Sequence, residues 1–448
     1  MDSFDDLNIN KQLRSAINEL GFSKPTPVQA ESFSVIMSGK DVVGIAQTGT
    51  GKTLAYLLPV LQQLKYSDQV SPRVLILVPT RELVLQVVKD VEKLTEFTNL
   101  RVLGVYGGTN INTQKTKVVE GTDVLVATPG RLFDLAVSRV LQLKTVNKLV
   151  IDEVDVMLDL GFRYQLTNIF ELLPERRQNL MFSATMTDEV SALIKDYFFS
   201  PFNIAIAVSG TRLDNIEQQS YYAANFHTKV NLVSFLLEDE EDHSKVLIFA
   251  QNKKHADLIY ELLEEKYGSQ MGVLHSNKSQ NYRIRSLQQF ADGEKRILIA
   301  TDVMARGIDV DNISHVVNFD TPSFPENYMH RIGRTGRAEK VGKSYLFFTE
   351  EEKSLKQQIE SLMNYKIPQI DFPEEVSISK TLISEEMPDT MEGASVRPIK
   401  TSESKAFHEK KLKNTKTNQG GSYLRKMKKY KRPKSRGDKV ANKRNKRK

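Results

Sequence analysis

Short runs rich in Val, Ile and Leu recur along most of the chain, separated by stretches in which apolar residues return at helical spacing. In the first half these runs are Asp41 to Ala46, Val74 to Pro79, Val102 to Gly107, Val124 to Thr128, Leu149 to Glu153 and Leu180 to Thr185. A second series comprises Lys245 to Ala250, Met271 to His275, Ile297 to Thr301, Val316 to Asp320 and Tyr345 to Thr349. Runs that are apolar throughout, rather than alternating, belong to strands buried on both faces, so the pattern predicts parallel sheets covered by helices. The polar stretch Val208-Ser209-Gly210-Thr211-Arg212-Leu213-Asp214 carries no apolar period and reads as a linker between two doubly wound α/β domains. The expected organisation is an N-terminal segment (1–30), a first domain (31–208), a linker (209–216), a second domain (217–368) and an acidic, polar extension (369–400). A basic tail, 401–448, completes it. In such sheets ligands bind beyond the carboxyl ends of strands, so chemistry is expected in the loops that follow the runs.

Composition narrows the picture. Of 448 residues, 40% are hydrophobic and 27% charged, the balance of a soluble globular protein. No apolar run is long enough to cross a bilayer, and the acidic start Met1-Asp2-Ser3-Phe4-Asp5-Asp6 lacks the regions of a signal peptide, so a cytoplasmic location is expected. The absence of cysteine excludes disulfides, thiolate zinc sites, iron–sulfur clusters and cysteine nucleophiles. Seven scattered histidines argue against a metal enzyme. The net charge of +7 averages two unlike regions: residues 401–448 hold 19 Lys and Arg against 3 Asp and Glu, and residues 1–400 hold 44 against 53. The tail has almost no apolar residues to offset ordering entropy and is expected to be a disordered electrostatic arm for nucleic acid.

The loop after the first run is Ala46-Gln47-Thr48-Gly49-Thr50-Gly51-Lys52-Thr53. Between a strand and a helix this is a phosphate-binding loop, in which glycines let backbone N–H groups close on phosphate oxygens. Lys52 would reach the β and γ phosphates, and the Thr53 hydroxyl would face Mg²⁺. Ala46 stands where the general pattern has its first glycine. A phosphate loop also needs a metal carboxylate and a group that activates water. Lys148-Leu149-Val150-Ile151-Asp152-Glu153 ends in both, with Asp152 for Mg²⁺ and Glu153 for the attacking water.

Asp152-Glu153-Val154-Asp155 resembles the DEAD box of the ATP-dependent RNA helicases, with valine in place of the usual alanine, and further motifs follow in family order. Gly21-Phe22-Ser23-Lys24-Pro25-Thr26-Pro27-Val28-Gln29 is similar to the Q motif, with Phe4 as its upstream aromatic. The resemblance implies that Phe22, Thr26 and Gln29 contribute to ATP binding and that the Gln29 amide reads adenine. Ser183-Ala184-Thr185 resembles the motif whose hydroxyls bond to the acidic box and couple hydrolysis to domain arrangement. In His330-Arg331-Ile332-Gly333-Arg334-Thr335-Gly336-Arg337 the resemblance makes Arg334 and Arg337 arginine fingers, ties His330 and Arg331 to the acidic box through Asp155, and sets Asp309 against the ribose.

The same resemblance marks an RNA path through Pro79, Thr80, Arg81, Gly107, Gly108, Thr128, Pro129, Gly130 and Arg131. In the second half it runs through Gln280, Arg283, Thr301, Asp302 and Arg306. Hydroxyls, glycines and arginines contact phosphate and sugar rather than base edges, so binding is expected to be largely independent of sequence. The resemblance implies two RecA-like domains and a monomeric RNA-dependent ATPase, using ATP and Mg²⁺, that separates short duplexes or strips proteins from RNA by closing one domain on the other. A core with a basic tail looks most like the bacterial RhlE-type members, which implies ribosome assembly or RNA turnover. A DNA-acting translocase of the same superfamily and an ATP-gated RNA clamp or scaffold are the alternatives.

Overall fold

Val74-Leu75-Ile76-Leu77 shows how the sequence builds the first sheet. All four residues are buried, but successive side chains leave a strand on opposite faces. Val74 and Ile76 therefore join one hydrophobic cluster, with Val42, Val124, Val126, Val150, Leu180 and Phe182, while Leu75 and Leu77 join another, with Val43, Leu125, Leu149, Ile151 and Met181. Each cluster is roofed by helices. The computed structural model describes residues 3–46, 50–205, 215–305, 310, 312–336 and 341–387.

The first lobe contains β1 (Val42–Ile45), β2 (Val74–Leu77), β3 (Val102–Val105), β4 (Val124–Ala127), β5 (Lys148–Asp152), β6 (Gln178–Ser183) and β7 (Phe202–Ala205). They form one parallel sheet in the order β3-β4-β2-β5-β6-β1-β7. The second lobe contains β8 (Ile216–Tyr222), β9 (Val246–Ala250), β10 (Met271–Leu274), β11 (Ile297–Thr301), β12 (His315–Asn318), β13 (Gly342–Phe348) and β14 (Gln369–Ile370). Its parallel order is β10-β11-β9-β12-β13-β8-β14. Here too the strand residues sort by parity, Ile248, Ile297 and Ile299 to one face and Leu247, Phe249 and Leu298 to the other. The two sheets confirm the RecA-like doubly wound pair. By contacts the chain divides after Glu386.

Three strands escape the hydrophobic pattern. Ile216-Glu217-Gln218-Gln219-Ser220-Tyr221-Tyr222 has little apolar character, yet it pairs along its full length with β13. Edge strands β7 and β14 are short. Residues beyond 368, the expected end of the second domain, also contact this lobe. Gln369 and Ile370 pair with Ser220 and Tyr221, and Phe372, Val376 and Ile383 pack on the cluster containing Tyr221, Phe226, Phe319 and Phe347. Isolated apolar residues on an otherwise polar segment give no period, which is why sequence pattern misses a strap of this kind. The basic tail lies outside the described residues.

Candidate functional site

Strands β5, β6 and β1 are neighbours in the sheet, and their carboxyl ends deliver Asp152, Ser183 and the phosphate loop to one place, with Asp152 level with Phe182 and Ser183 level with Ile45. Adjacency brings together motifs that are distant in sequence. Gln47, Thr48 and Gly49 lie outside the described residues. Beyond them, Gly51 has φ 85°, a left-handed conformation that favours glycine, and opens the helix Lys52–Gln62. Lys52 is buried, and its Nζ has no hydrogen-bond partner among the described residues.

Asp152 Oδ1 accepts the Glu153 N–H at 2.9 Å and Oδ2 accepts the Tyr56 hydroxyl at 3.0 Å. Burial pushes its carboxyl up to about 6, against the pull of the Lys52 charge and reinforced by Glu153. Tyr56, absent from the sequence reading, sits four residues after Lys52 on the same helix face. That spacing was its available signal. Glu153 begins the helix Val154–Asp159 with φ 53°, and its Oε2 is buried without a partner. A left-handed non-glycine residue at a strand-to-helix junction is uncommon and strained.

Asp155 Oδ2 accepts the backbone N–H groups of Ala184 and Thr185 and the Thr185 hydroxyl, the last at 2.9 Å. The Ser183 hydroxyl is fully buried and has no partner. From the second lobe, His330 Nε2 approaches Asp155 Oδ2 to 3.6 Å. Burial raises the Asp155 carboxyl, but His330, Lys52 and Thr185 outweigh it and hold it well below the usual carboxylate range. Lys52, Glu153, Asp155, Val156, Ala184, His330 and Arg334 line one cleft. Arg337 and Asp309 fall outside the described residues.

Arg331 departs from its expected tie to Asp155. Its guanidinium grips Asp302 at 2.6 and 2.8 Å, donates to the Asp320 carbonyl at 2.7 Å and stacks over Phe249. It braces β11 and β12 within its own lobe, because the helix Pro325–Ile332 turns successive residues His330 and Arg331 to different sides. Asp302, nominated for RNA, is committed to that grip.

The Gln29 amide also has internal partners: Oε1 accepts the Thr26 N–H at 2.9 Å and Nε2 donates to the Gly51 carbonyl at 3.1 Å. It joins the segment around Pro25 to the phosphate loop. Phe4 is buried in the adjacent core, whereas Phe22 is half exposed.

The nominated RNA path is built in a similar way. Thr80 caps the helix Arg81–Leu94, accepting the Leu83 N–H. Arg81 stacks on Tyr106. Arg131 is buried and donates to Gln114 and to the Thr109 carbonyl, which fixes the loop holding Gly107 and Gly108. Thr128 and Pro129 open the helix Pro129–Val137, which contains Gly130. Across the lobes Arg283 meets Glu82 at 3.2 Å, and Gln280 Nε2 donates to the same carboxylate. Thr301 ends β11, and Arg306 is not among the described residues. The arginines thus hold the backbone surface in shape. Tyr106, Thr109 and Gln114, which complete it, carry no motif signal.

Residues 26–193 match the family model described as DEAD/DEAH box helicase, and residues 228–339 match the helicase conserved C-terminal domain. The chain is 38% identical over 379 residues to "ATP-dependent RNA helicase DeaD" of Buchnera aphidicola, covering 84% of this chain and 62% of that protein. It therefore spans less than two thirds of that relative. Identity is 37% to "ATP-dependent RNA helicase RhlB" of Shewanella woodyi, covering 83% of this chain and 86% of the relative. The fold is similar to S. cerevisiae Dbp5 bound to RNA and ADP BeF3, with TM-score 0.76, 28% identity and coverage of 83% and 96% of the two chains. It is similar also to Mss116p bound to ssRNA and AMP-PNP, with TM-score 0.75, 28% identity and coverage of 83% and 80%.

Proposed function

Because the chain belongs to the DEAD-box family of ATP-dependent RNA helicases, we propose that it is an RNA-dependent ATPase that locally unwinds short RNA duplexes or remodels RNA–protein complexes. The observation that carries this reading is the cleft itself. A buried Lys52 Nζ and a buried Glu153 Oε2, both without partners, face His330 and Arg334 of the other lobe. Unpaired buried charges are costly and are retained where a ligand satisfies them.

Lys52 binds the β and γ phosphates of ATP, and Glu153 orients the attacking water. Thr53 and Asp152 are the groups placed to hold Mg²⁺, which when bound supplies charge neutralisation at the phosphates. The high Asp152 carboxyl suits a position whose charge is completed by a cation. Arg334, with Arg337 beyond it, adds positive charge as the lobes close. His330 on Asp155 reports closure to the Ala184–Thr185 turn. Gln29 holds the loop through Gly51 and reads adenine when that bond is exchanged for the base. RNA lies along backbone N–H groups at Gly108 and at the start of the helix Pro129–Val137, which select phosphate rather than base. The tail adds a sequence-independent arm.

The RhlE-like placement and service in ribosome assembly or RNA degradation rest on the core-plus-basic-tail layout and belong to this proposal, as do a monomeric state and a cytoplasmic location. Among the described residues, no helix is long and apolar enough to cross a membrane.

The deciding experiment measures ATP turnover with no nucleic acid, with single-stranded RNA and with DNA of matching sequence, alongside strand separation of a short RNA duplex. Turnover stimulated by RNA and strand separation requiring ATP are expected. Equal stimulation by DNA would favour a DNA translocase. ATP-dependent RNA retention without turnover would favour a clamp.

A further inference from the structure

At the amino-terminal ends of strands β9 and β12 in the second sheet, two histidines stack. His243 precedes β9 and His315 begins β12; their ring centroids are 4.1 Å apart, and both are almost wholly buried. Their hydrogen bonds assign the tautomers. His243 Nδ1 lies 3.2 Å from the Asp239 carbonyl, which can only accept, so Nδ1 carries the proton. His315 Nδ1 lies 3.1 Å from the Ser314 hydroxyl, whose own proton goes to the Lys245 carbonyl, so this Nδ1 also donates. Each ring is left with a bare lone pair on Nε2, and neither Nε2 has a hydrogen-bond partner.

A buried acceptor without a donor is costly, and here two lie together beside a carboxylate. Asp242 Oδ2 is 3.5 Å from His315 Nε2, and one ligand atom from each of Asp242, His243 and His315 lies within 4.8 Å of the others. Three electron-pair donors converge beside the Lys343 ammonium, with the Arg296 guanidinium on the His243 carbonyl. Lys343 Nζ donates to both Asp242 oxygens, at 2.7 and 2.8 Å, from a half-exposed side chain that can swing into solvent.

We propose that His243, His315 and Asp242 form a three-ligand site for a late first-row divalent cation such as Zn²⁺, with water in the fourth position. Imidazole donors select zinc, cobalt, nickel or copper over magnesium and calcium. In tetrahedral zinc sites with bonds near 2.0–2.1 Å, donor atoms stand roughly 3.3 Å apart. Binding therefore contracts the longest separation here, turns the two Nε2 edges toward one another and displaces Lys343. The Nδ1 bonds to Asp239 and Ser314 are the outer contacts that fix ring orientation in metal sites. Histidines far apart in sequence give no spacing motif, so the site is invisible before folding. The site acts as a structural staple, tying the Asp239–His243 turn to β12 and, through Asp242, releasing β13.

The test titrates Co²⁺ into the nucleotide-free full chain with Mg²⁺ present, reading the visible absorption of tetrahedral cobalt, followed by displacement with Zn²⁺. One equivalent of Co²⁺ is expected to bind and to be displaced. His315→Gln, which removes a ligand, should lower affinity by more than the roughly 10- to 100-fold lost when only an outer contact is removed, and His243→Gln with His315→Gln should abolish the signal. Lys343→Met should raise affinity, since it frees Asp242 without touching a ligand, and this gain does not depend on the histidine variants folding. Zn²⁺ should raise the thermal unfolding midpoint of the parent and not of the double variant. Absence of a tetrahedral signal in the parent, an unchanged signal in the double variant, or no gain on Lys343→Met would each overturn the site.

Discussion

His330 Nε2 stands 3.6 Å from Asp155 Oδ2, an oxygen that already accepts three hydrogen bonds from Ala184 and Thr185. One carboxylate thus carries the acidic box, the end of β6 and the second lobe together. Hydrogen bonds to a charged group contribute about 1.5–3 kcal/mol each. Asp155→Asn should therefore lower RNA-stimulated ATP turnover by about 10- to 100-fold while sparing nucleotide affinity. Steady-state turnover at saturating RNA, with nucleotide binding measured separately, checks this. Equal losses in both would place Asp155 in the binding step.

Lys52 and Glu153 should separate in the same assays. Lys52→Ala removes the buried cation proposed to meet the phosphates and should abolish most nucleotide binding. Glu153→Gln keeps the shape and loses the carboxylate, so it should retain ATP and RNA while hydrolysing slowly. Fluorescent-nucleotide binding and single-turnover hydrolysis distinguish the two. Matching defects would mean the roles are wrongly divided.

Arg334 lines the cleft opposite Lys52 and Glu153. Arg334→Ala should slow turnover on the order of 10³-fold, the scale of an arginine finger, with little change in the KM for ATP. A raised KM with normal kcat would make it a ground-state contact instead.

Asp152 trades stability for function. Its folded-state carboxyl is raised from 3.8 to about 6. The stability linked to its protonated form is complete below the unfolded value and is lost as pH rises through about 6. Asp152→Asn, which cannot ionise, should be no more stable than the parent near pH 4. Above about pH 6 it should be more stable by on the order of 1–3 kcal/mol without divalent ions, although turnover collapses. Thermal unfolding across pH, with chelator, reads the crossover. A variant less stable than the parent at pH 8 would contradict it.

The strap over the second lobe should respond to pH in the same sense, through a histidine rather than a carboxyl. His255 Nδ1 meets Asp320 and Nε2 meets Glu385, each at 2.9 Å, with Lys229 and Glu352 behind Asp320 and Lys254 beside Glu385. Burial pulls the imidazole down, but the two carboxylates outweigh it and leave it raised. Strap stability is then full below the unfolded histidine value and is lost as pH rises through the folded one. Hydrogen exchange of residues 376–386, corrected for intrinsic rate, should speed up on going from about pH 6 to about pH 8. Glu385→Gln should be faster at the lower pH and respond less. Parent and variant exchanging alike would remove the ionic contact from the account.

Much of this protein was legible in its sequence because its strands are buried on both faces. Continuous Val, Ile and Leu runs mark such strands whatever their neighbours, and Gly51-Lys52-Thr53, Asp152-Glu153 and His330 to Arg334 mark the proposed site by fixed local spacing. What depended on pairing was hidden. Strand β8 is polar and held by β13, Tyr56 matters because β5 brings Asp152 to it, and Arg331 turns to Asp302 because its helix points it there. The strap bearing Glu385 and the His243–His315 stack are likewise contacts between segments remote in sequence. Local pattern decides which residues form an element and which chemistry a loop carries. Only the packed sheet decides which of those groups face each other, because that is set by strand order and side-chain direction.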